Sequence, residues 1–177
     1  MPQQRREWTL SLLGGLPGAP GKAGAEDRNK LYPLACELFR MGAIAEAYRI
    51  FKDLEREHPA VLFNLALCHM AADQVERAMN YLDRALSLAK RRQLGNRPTP
   101  NETYRLLAAR EQLSDYRVPM PEDAPQFAPE YAQDAIRRLL VDCCAELGLW
   151  DRVRTLAEAL KPRRYANVEQ ALARAGE

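Results

Sequence analysis

LFNLALCHMAADQVERAMNYLDRAL, Leu62 to Leu86, decides how the rest of the chain reads. Leu62, Leu65, Ala66 and His69 recur at three- and four-residue spacing, the pattern breaks around Asp73, and Ala78, Leu82, Ala85 and Leu86 resume it. That period puts each set on one face of a helix. The stretch predicts two helices, about Pro59–Ala72 and Val75–Arg92, joined by a tight turn. Cys68 beside His69 is its one hint of chemistry, but consecutive helical residues point about 100° apart and cannot easily share a metal. The only other histidine, His58, stands at a helix end beside Pro59. Packing is therefore the expected role of both, with no metal and no Cys–His nucleophile.

Upstream, Leu31, Leu34, Ala35, Leu38 and Phe39 predict a helix from about Lys30, with Pro33 in its first turn and Gly42 ending it. A second, about Ile44–Glu57, carries Ala47, Ile50, Phe51 and Leu54 on one face. Downstream, Gly95 and Pro98 break the rhythm before a helix over about Asn101–Leu113, capped by Thr99 or Asn101. SDYRVPMPEDAPQFAPE, residues 114–130, then reads as a long proline-studded loop, a length that inside a domain often serves function. Three more helices follow, about Tyr131–Leu147, Trp150–Leu160 and Arg164–Ala175. At the other end, GGLPGAPGKAGAE (residues 14–26) is a flexible linker that sets the apolar WTLSLL (residues 8–13) apart. The expected division is residues 1–27 as apolar segment and linker, and 28–177 as a helical domain.

Composition agrees. The 177 residues are 47% hydrophobic and 28% charged, enough for one folded domain or a short repeat array. Glycine and proline gather near the N-terminus and between Pro98 and Pro129, leaving Ala- and Leu-rich stretches free of breakers, which favours an all-α fold. A net charge of +2 gives no reason to expect nucleic acid or an anionic membrane surface. No run approaches the ~18 apolar residues of a membrane span. Gly14–Gly15 and Glu7 interrupt the apolar start and argue against a secretion signal. Cys36, Cys68, Cys143 and Cys144 form no CxxC pair and sit in apolar helical text, as buried reduced thiols do, so the expected location is the cytoplasm.

Overlaying the helices exposes a repeat. Gly42, Ala47, Phe51, Leu54 and Pro59 fall on Asp73, Ala78, Leu82, Ala85 and Lys90, so residues 28–59 and 59–92 are two copies of one helix–turn–helix unit. AIRRLLVDCCAELGLWDRVRTLAEAL, Ala135–Leu160, is a weaker third copy within about residues 134–165, with Val153 for the usual Ala and Arg137 for an apolar residue. The pattern resembles the tetratricopeptide repeat, a unit of about 34 residues. One hairpin cannot bury its own face, so copies must stack and the end must be capped, a role that suits Arg164–Ala175. The resemblance implies an all-α solenoid with a C-terminal capping helix, acting without catalysis or cofactor on protein partners.

In this family ligands dock on the inner face of each first helix. By repeat phase that face holds Tyr32, Cys36, Phe39 and Arg40 in the first copy and Phe63, Asn64, Leu67 and Met70 in the second. Asn64 matches a clamp asparagine of the family, whereas Tyr32 and Cys36 replace the expected Lys and Asn. So apolar a face is expected either to bind a peptide or amphipathic helix or to be covered by the chain's own ends, WTLSLL foremost. An adaptor or chaperone is the concrete form of this expectation, with some similarity to bacterial secretion chaperones of this repeat family, and a homo-oligomer is compatible with it. The alternative is an RNA-binding solenoid using Arg91, Arg92, Arg97, Arg163 and Arg164.

Other motifs carry less. PGAPGKAG (Pro17–Gly24) mimics a phosphate loop, but Leu16 stands for its first Gly and Ala23 for its hydroxyl. KRRQLGNR and KPRRY read as solvated helix ends. Cys143–Cys144 reads as core, not as a redox pair. An enzyme would need Asp142, Glu146 or His69 to converge in a cleft, which normal repeat packing excludes.

Overall fold

A computed structural model describes residues 25–54, 57–92 and 116–176, together with Glu102 and Leu106. The described residues are all-helical: α1 Ala25–Arg40, α2 Ile44–Asp53, α3 Pro59–Ala71, α4 Val75–Arg92, α5 Ala124–Phe127, α6 Pro129–Glu146, α7 Trp150–Glu158 and α8 Ala166–Arg174, with a 3-10 turn at Lys161–Arg163. Successive pairs α1/α2, α3/α4 and α6/α7 are antiparallel hairpins, and α6 packs directly on α4. The third pair therefore continues the stack, and the chain between Arg92 and α5 is an insertion between the second and third pairs. Glu102 and Leu106 are helical. The remainder of the helix expected at 101–113 lies outside the described residues, as do WTLSLL and PGAPGKAG.

The three hairpins turn alike, because each first helix closes with the same hydrogen bonds. After α1, the amide of Gly42 donates to Phe39 (3.0 Å) and that of Ala43 to Leu38 (2.9 Å). Asp73 and Gln74 repeat this onto Met70 and His69 (3.0 and 2.8 Å), and Gly148 and Leu149 onto Ala145 and Cys144 (3.3 and 2.8 Å). This is the Schellman closure, which needs a left-handed residue just past the helix. That residue is Gly42 (φ +83), Asp73 (φ +55) and Gly148 (φ +69). Asp73 is the one of the three with a side chain to accommodate there.

Small residues let the helices approach and large ones fill between pairs. Ala35, Ala47, Ala66, Ala78 and Ala85 are wholly buried, with Phe51, Leu62, Leu65, Leu82 and Leu140 packed among them. In the third copy Val141, Cys144, Val153, Ala157 and Leu160 form a core that Val168 and Ala171 of α8 close. Arg152 of α7 pairs with Asp83 of α4 and lies against Met79, tying the second copy to the third. Leu34 breaks the rule. Its counterparts Leu65 and Leu140 are buried by the pair before them, whereas no described helix lies outside α1 and Leu34 is 49% exposed.

Four boundaries differ from expectation. α1 begins at Ala25 and not near Lys30, so Pro33 lies inside the helix, exposed, where it removes one helical hydrogen bond. The favourable helix formers Ala25, Glu26, Arg28 and Lys30 extend the helix past it. α2 closes at Asp53 and not Glu57, because His58, preceding Pro59, is held extended (φ −125, ψ 121). The stretch expected as one loop over 114–130 contains α5 and the start of α6, with Pro125 and Pro129 in first turns where a missing N–H costs nothing. α8 starts at Ala166 because Arg164 adopts a left-handed conformation (φ +46).

Candidate functional site

The inner face of the stack is formed by α1, α3 and α6. The first-copy residues Tyr32 and Cys36 are buried, Phe39 is half-buried and Arg40 is exposed. In the second copy Phe63, Asn64 and Leu67 are buried and Met70 is half-buried. The structure thus brings Tyr32, Cys36 and Asn64 together, within one hydrogen-bonded cluster. It leaves Arg40 on the surface, paired with Glu37 of its own helix at 3.4 Å.

Against Tyr32 and Asn64 lies Met120 of the chain's proline-studded segment. Met120, flanked by Pro119 and Pro121, is 1% exposed, and Asn64 reads its main chain on both sides. The Met120 amide donates to Asn64 Oδ1 at 2.8 Å, while Asn64 Nδ2 donates to the Met120 carbonyl at 3.2 Å. Tyr32 Oη donates to that same carbonyl at 2.7 Å and accepts from Asn64 Nδ2 at 2.8 Å. Asn64 Nδ2 also lies 3.9 Å from Cys36 Sγ. An asparagine side chain used this way imitates a neighbouring strand, offering one donor and one acceptor to the main chain of one residue. Tyr32 is itself held edge-on by Phe51, with ring centroids 5.6 Å apart.

The third copy supplies a polar half. Asp134, Arg138 and Asp142 follow one another at four-residue spacing on α6, and all three are buried. Tyr116 Oη donates to Asp142 Oδ2 at 2.5 Å, and Arg117 adds Nε and Nη2 contacts to that oxygen at 3.2 and 2.9 Å. Asn167 of α8 holds the other oxygen at 2.9 Å. Burial, with the Asp142 carboxylate beside it, pushes the Tyr116 phenol well above its usual range, so the hydroxyl stays a donor. The Arg138 guanidinium lies between the Tyr116 and Tyr165 rings, 4.0 and 4.1 Å from their centroids, and its Nε donates to Asn167 Oδ1 at 3.2 Å. Tyr165 Oη donates to Asp134, which also pairs with Arg163 and Arg137.

The other candidates have local explanations. His69 lies between Tyr48 and Tyr81, centroids 5.3 Å from each, with Nδ1 2.9 Å from Gln74 Oε1. Asp142 faces Tyr116, Arg117 and Asn167, and Glu146 is exposed. All four cysteines are unpaired and buried. Burial raises the Cys36 thiol to about 11 and those of Cys68 and Cys143 to about 12, and pushes Cys144 up as well. Among the described residues no three His, Cys, Asp or Glu side chains gather as a metal site. No described helix is long and apolar enough to cross a membrane. Of the arginines proposed for RNA, Arg91 and Arg164 are exposed and Arg163 is paired with Glu130 and Asp134, while Arg97 lies outside the described residues.

Sequence reasoning placed Asn64 on this face but missed its occupant, Met120, and the polar half. The visible signals were the i, i+4, i+8 spacing of Asp134, Arg138 and Asp142, and Pro121, which disfavours a helical conformation at Met120.

Residues 38–93 match the family model of the tetratricopeptide repeat. That stretch carries the tetratricopeptide repeat. The match spans the end of α1 through α4, and the hairpin α6/α7 repeats the same closure beyond it. No curated protein and no solved structure matches the chain. Tetratricopeptide repeats generally mediate protein–protein interactions and are not themselves catalytic.

Proposed function

We propose that this tetratricopeptide-repeat protein is an adaptor or chaperone whose inner face, lined by Tyr32, Cys36, Phe39, Phe63, Asn64, Leu67 and Met70 with Arg40 at its rim, takes an extended segment of a protein partner. The observation that carries the reading is the two-sided hydrogen bonding of Asn64 to the amide and carbonyl of one residue, Met120. A residue inside a helix spends its amide and carbonyl on its own turn, so this contact favours an extended ligand over an amphipathic helix. Main-chain recognition supplies affinity that tolerates varied side chains, which suits a carrier of partner segments. The four buried, unpaired thiols fit a reducing compartment such as the cytoplasm.

The test is a peptide selection. A chain whose residues 116–123 are replaced by an eight-residue Gly-Ser stretch is presented to a displayed library of random dodecapeptides, beside the same chain carrying Asn64→Leu. Enrichment of peptides on the first and not the second is the expected result. Equal enrichment on both, or none on either, overturns the reading.

A further inference from the structure

Two separate anchor points hold the covering segment, and they lie at a fixed distance along it. Asn64 and Tyr32 read the main chain of Met120. Asp142 takes the phenol of Tyr116 and the guanidinium of Arg117, four and three residues earlier. Between them Pro119 and Pro121 flank Met120 and withhold the adjacent amides, leaving that of Met120 as the donor between two residues that have none. Nothing in these contacts requires the segment to be covalently attached. They amount to a recognition pattern: an aromatic and a cation, two residues of spacer ending in proline, then an apolar residue before a second proline.

Resting on the proposed function, we infer that Tyr116–Asp123 is an intramolecular stand-in for the partner. The partner is an extended peptide with a tyrosine–arginine pair placed so that its arginine lies three residues before a proline-flanked apolar residue. Asp142 selects the pair and Asn64 sets the register. The Asp142 carboxylate is buried and held from behind by Asn167, so it meets an incoming cation already oriented. Arg138, sandwiched between Tyr116 and Tyr165, supplies a cationic face on which only an aromatic ring stacks well. Tethering raises the local concentration of the stand-in to roughly millimolar, so it must be displaced before a partner is seated.

The experiment uses a fluorescein-labelled peptide of residues 114–124, SDYRVPMPEDA, and fluorescence anisotropy. The expected result is binding to the Gly-Ser-replaced chain at least about tenfold tighter than to the unaltered chain, the gap that a millimolar tethered competitor creates. A peptide carrying Arg117→Leu binds about tenfold more weakly, and that difference vanishes when the chain carries Asp142→Asn, as a double-mutant cycle requires. Should the replaced chain not fold, the full chain with Tyr116→Ala and Arg117→Ala, which removes the contacts to Asp142 and Arg138 and leaves Asn64 and Met120 in place, serves instead. Equal binding to altered and unaltered chains overturns the inference. So does binding indifferent to Tyr116→Leu and Arg117→Leu in the peptide, which leaves the Asn64 reading standing. If neither this peptide nor any library peptide binds, the proposed function falls and the inference with it.

Discussion

Asn64 is wholly buried, and its amide is spent on a residue 56 positions away. Replacing it by leucine keeps the volume but leaves the Met120 amide buried without its acceptor. An orphaned donor of this kind costs about 1–3 kcal/mol. Asn64→Leu is therefore expected to lower the unfolding free energy from urea titration by that amount, while Tyr32→Phe, which leaves Asn64 on the Met120 carbonyl, costs about 1 kcal/mol. If Asn64→Leu is neutral in the otherwise unaltered chain, the Asn64–Met120 contact contributes nothing to stability. His69 shows how far single residues were legible. Its packing role followed from the repeat phase alone, but its partners Tyr48, Tyr81 and Gln74 come from three places in the chain, which no local pattern reveals.

At the scale of elements, the three equivalent turns allow an internal comparison. Asp73 occupies a left-handed position that Gly42 and Gly148 fill without a side chain, so Asp73→Gly is expected to stabilise by about 0.5–1 kcal/mol and raise Tm by about 2–4 °C per kcal/mol. Gly148→Ala, in the same conformation with open space around its would-be methyl, is expected to cost about 1–2 kcal/mol from backbone strain alone. Thermal melts of the two variants decide both. Pro33→Ala restores a hydrogen bond inside α1 and is expected to add about 1–3 kcal/mol. The first two hairpins were legible because the signal of one recurs in the other 31 residues on, Gly42 to Asp73, and sums over many small positions. The boundaries of α1 and α8 were not. The first depends on helix formers overriding a proline, the second on the left-handed backbone of Arg164, and neither carries a periodic signature.

Across the whole molecule, burial keeps three thiols protonated to about 11 or 12 while an unfolded cysteine ionises near about 8.5. The unfolded chain therefore loses protons first. The stabilisation is fully present below about pH 8.5 and declines as pH rises toward 11, which urea midpoints at stepped pH will show. At pH 8 a thiol-specific reagent is expected to leave Cys36, Cys68, Cys143 and Cys144 unmodified in the native chain and to label all four in guanidinium. Rapid native labelling would mean that the core opens readily. The repeat architecture was readable from one sequence because each copy is local. The covering of its inner face was not, because it depends on an inserted segment meeting helices that precede and follow it.

The distance along the chain between those meeting points also sets an order of events. Each hairpin closes over a few residues, whereas the bond from Tyr32 to the Met120 carbonyl spans 88 positions and the pair with Asn64 spans 56. Loop closure on that scale comes late and is lost early. The amide hydrogen of Met120, a residue only 1% exposed, is therefore expected to exchange with deuterated solvent well before those of α3, timing the departure of the segment while the helices stay closed.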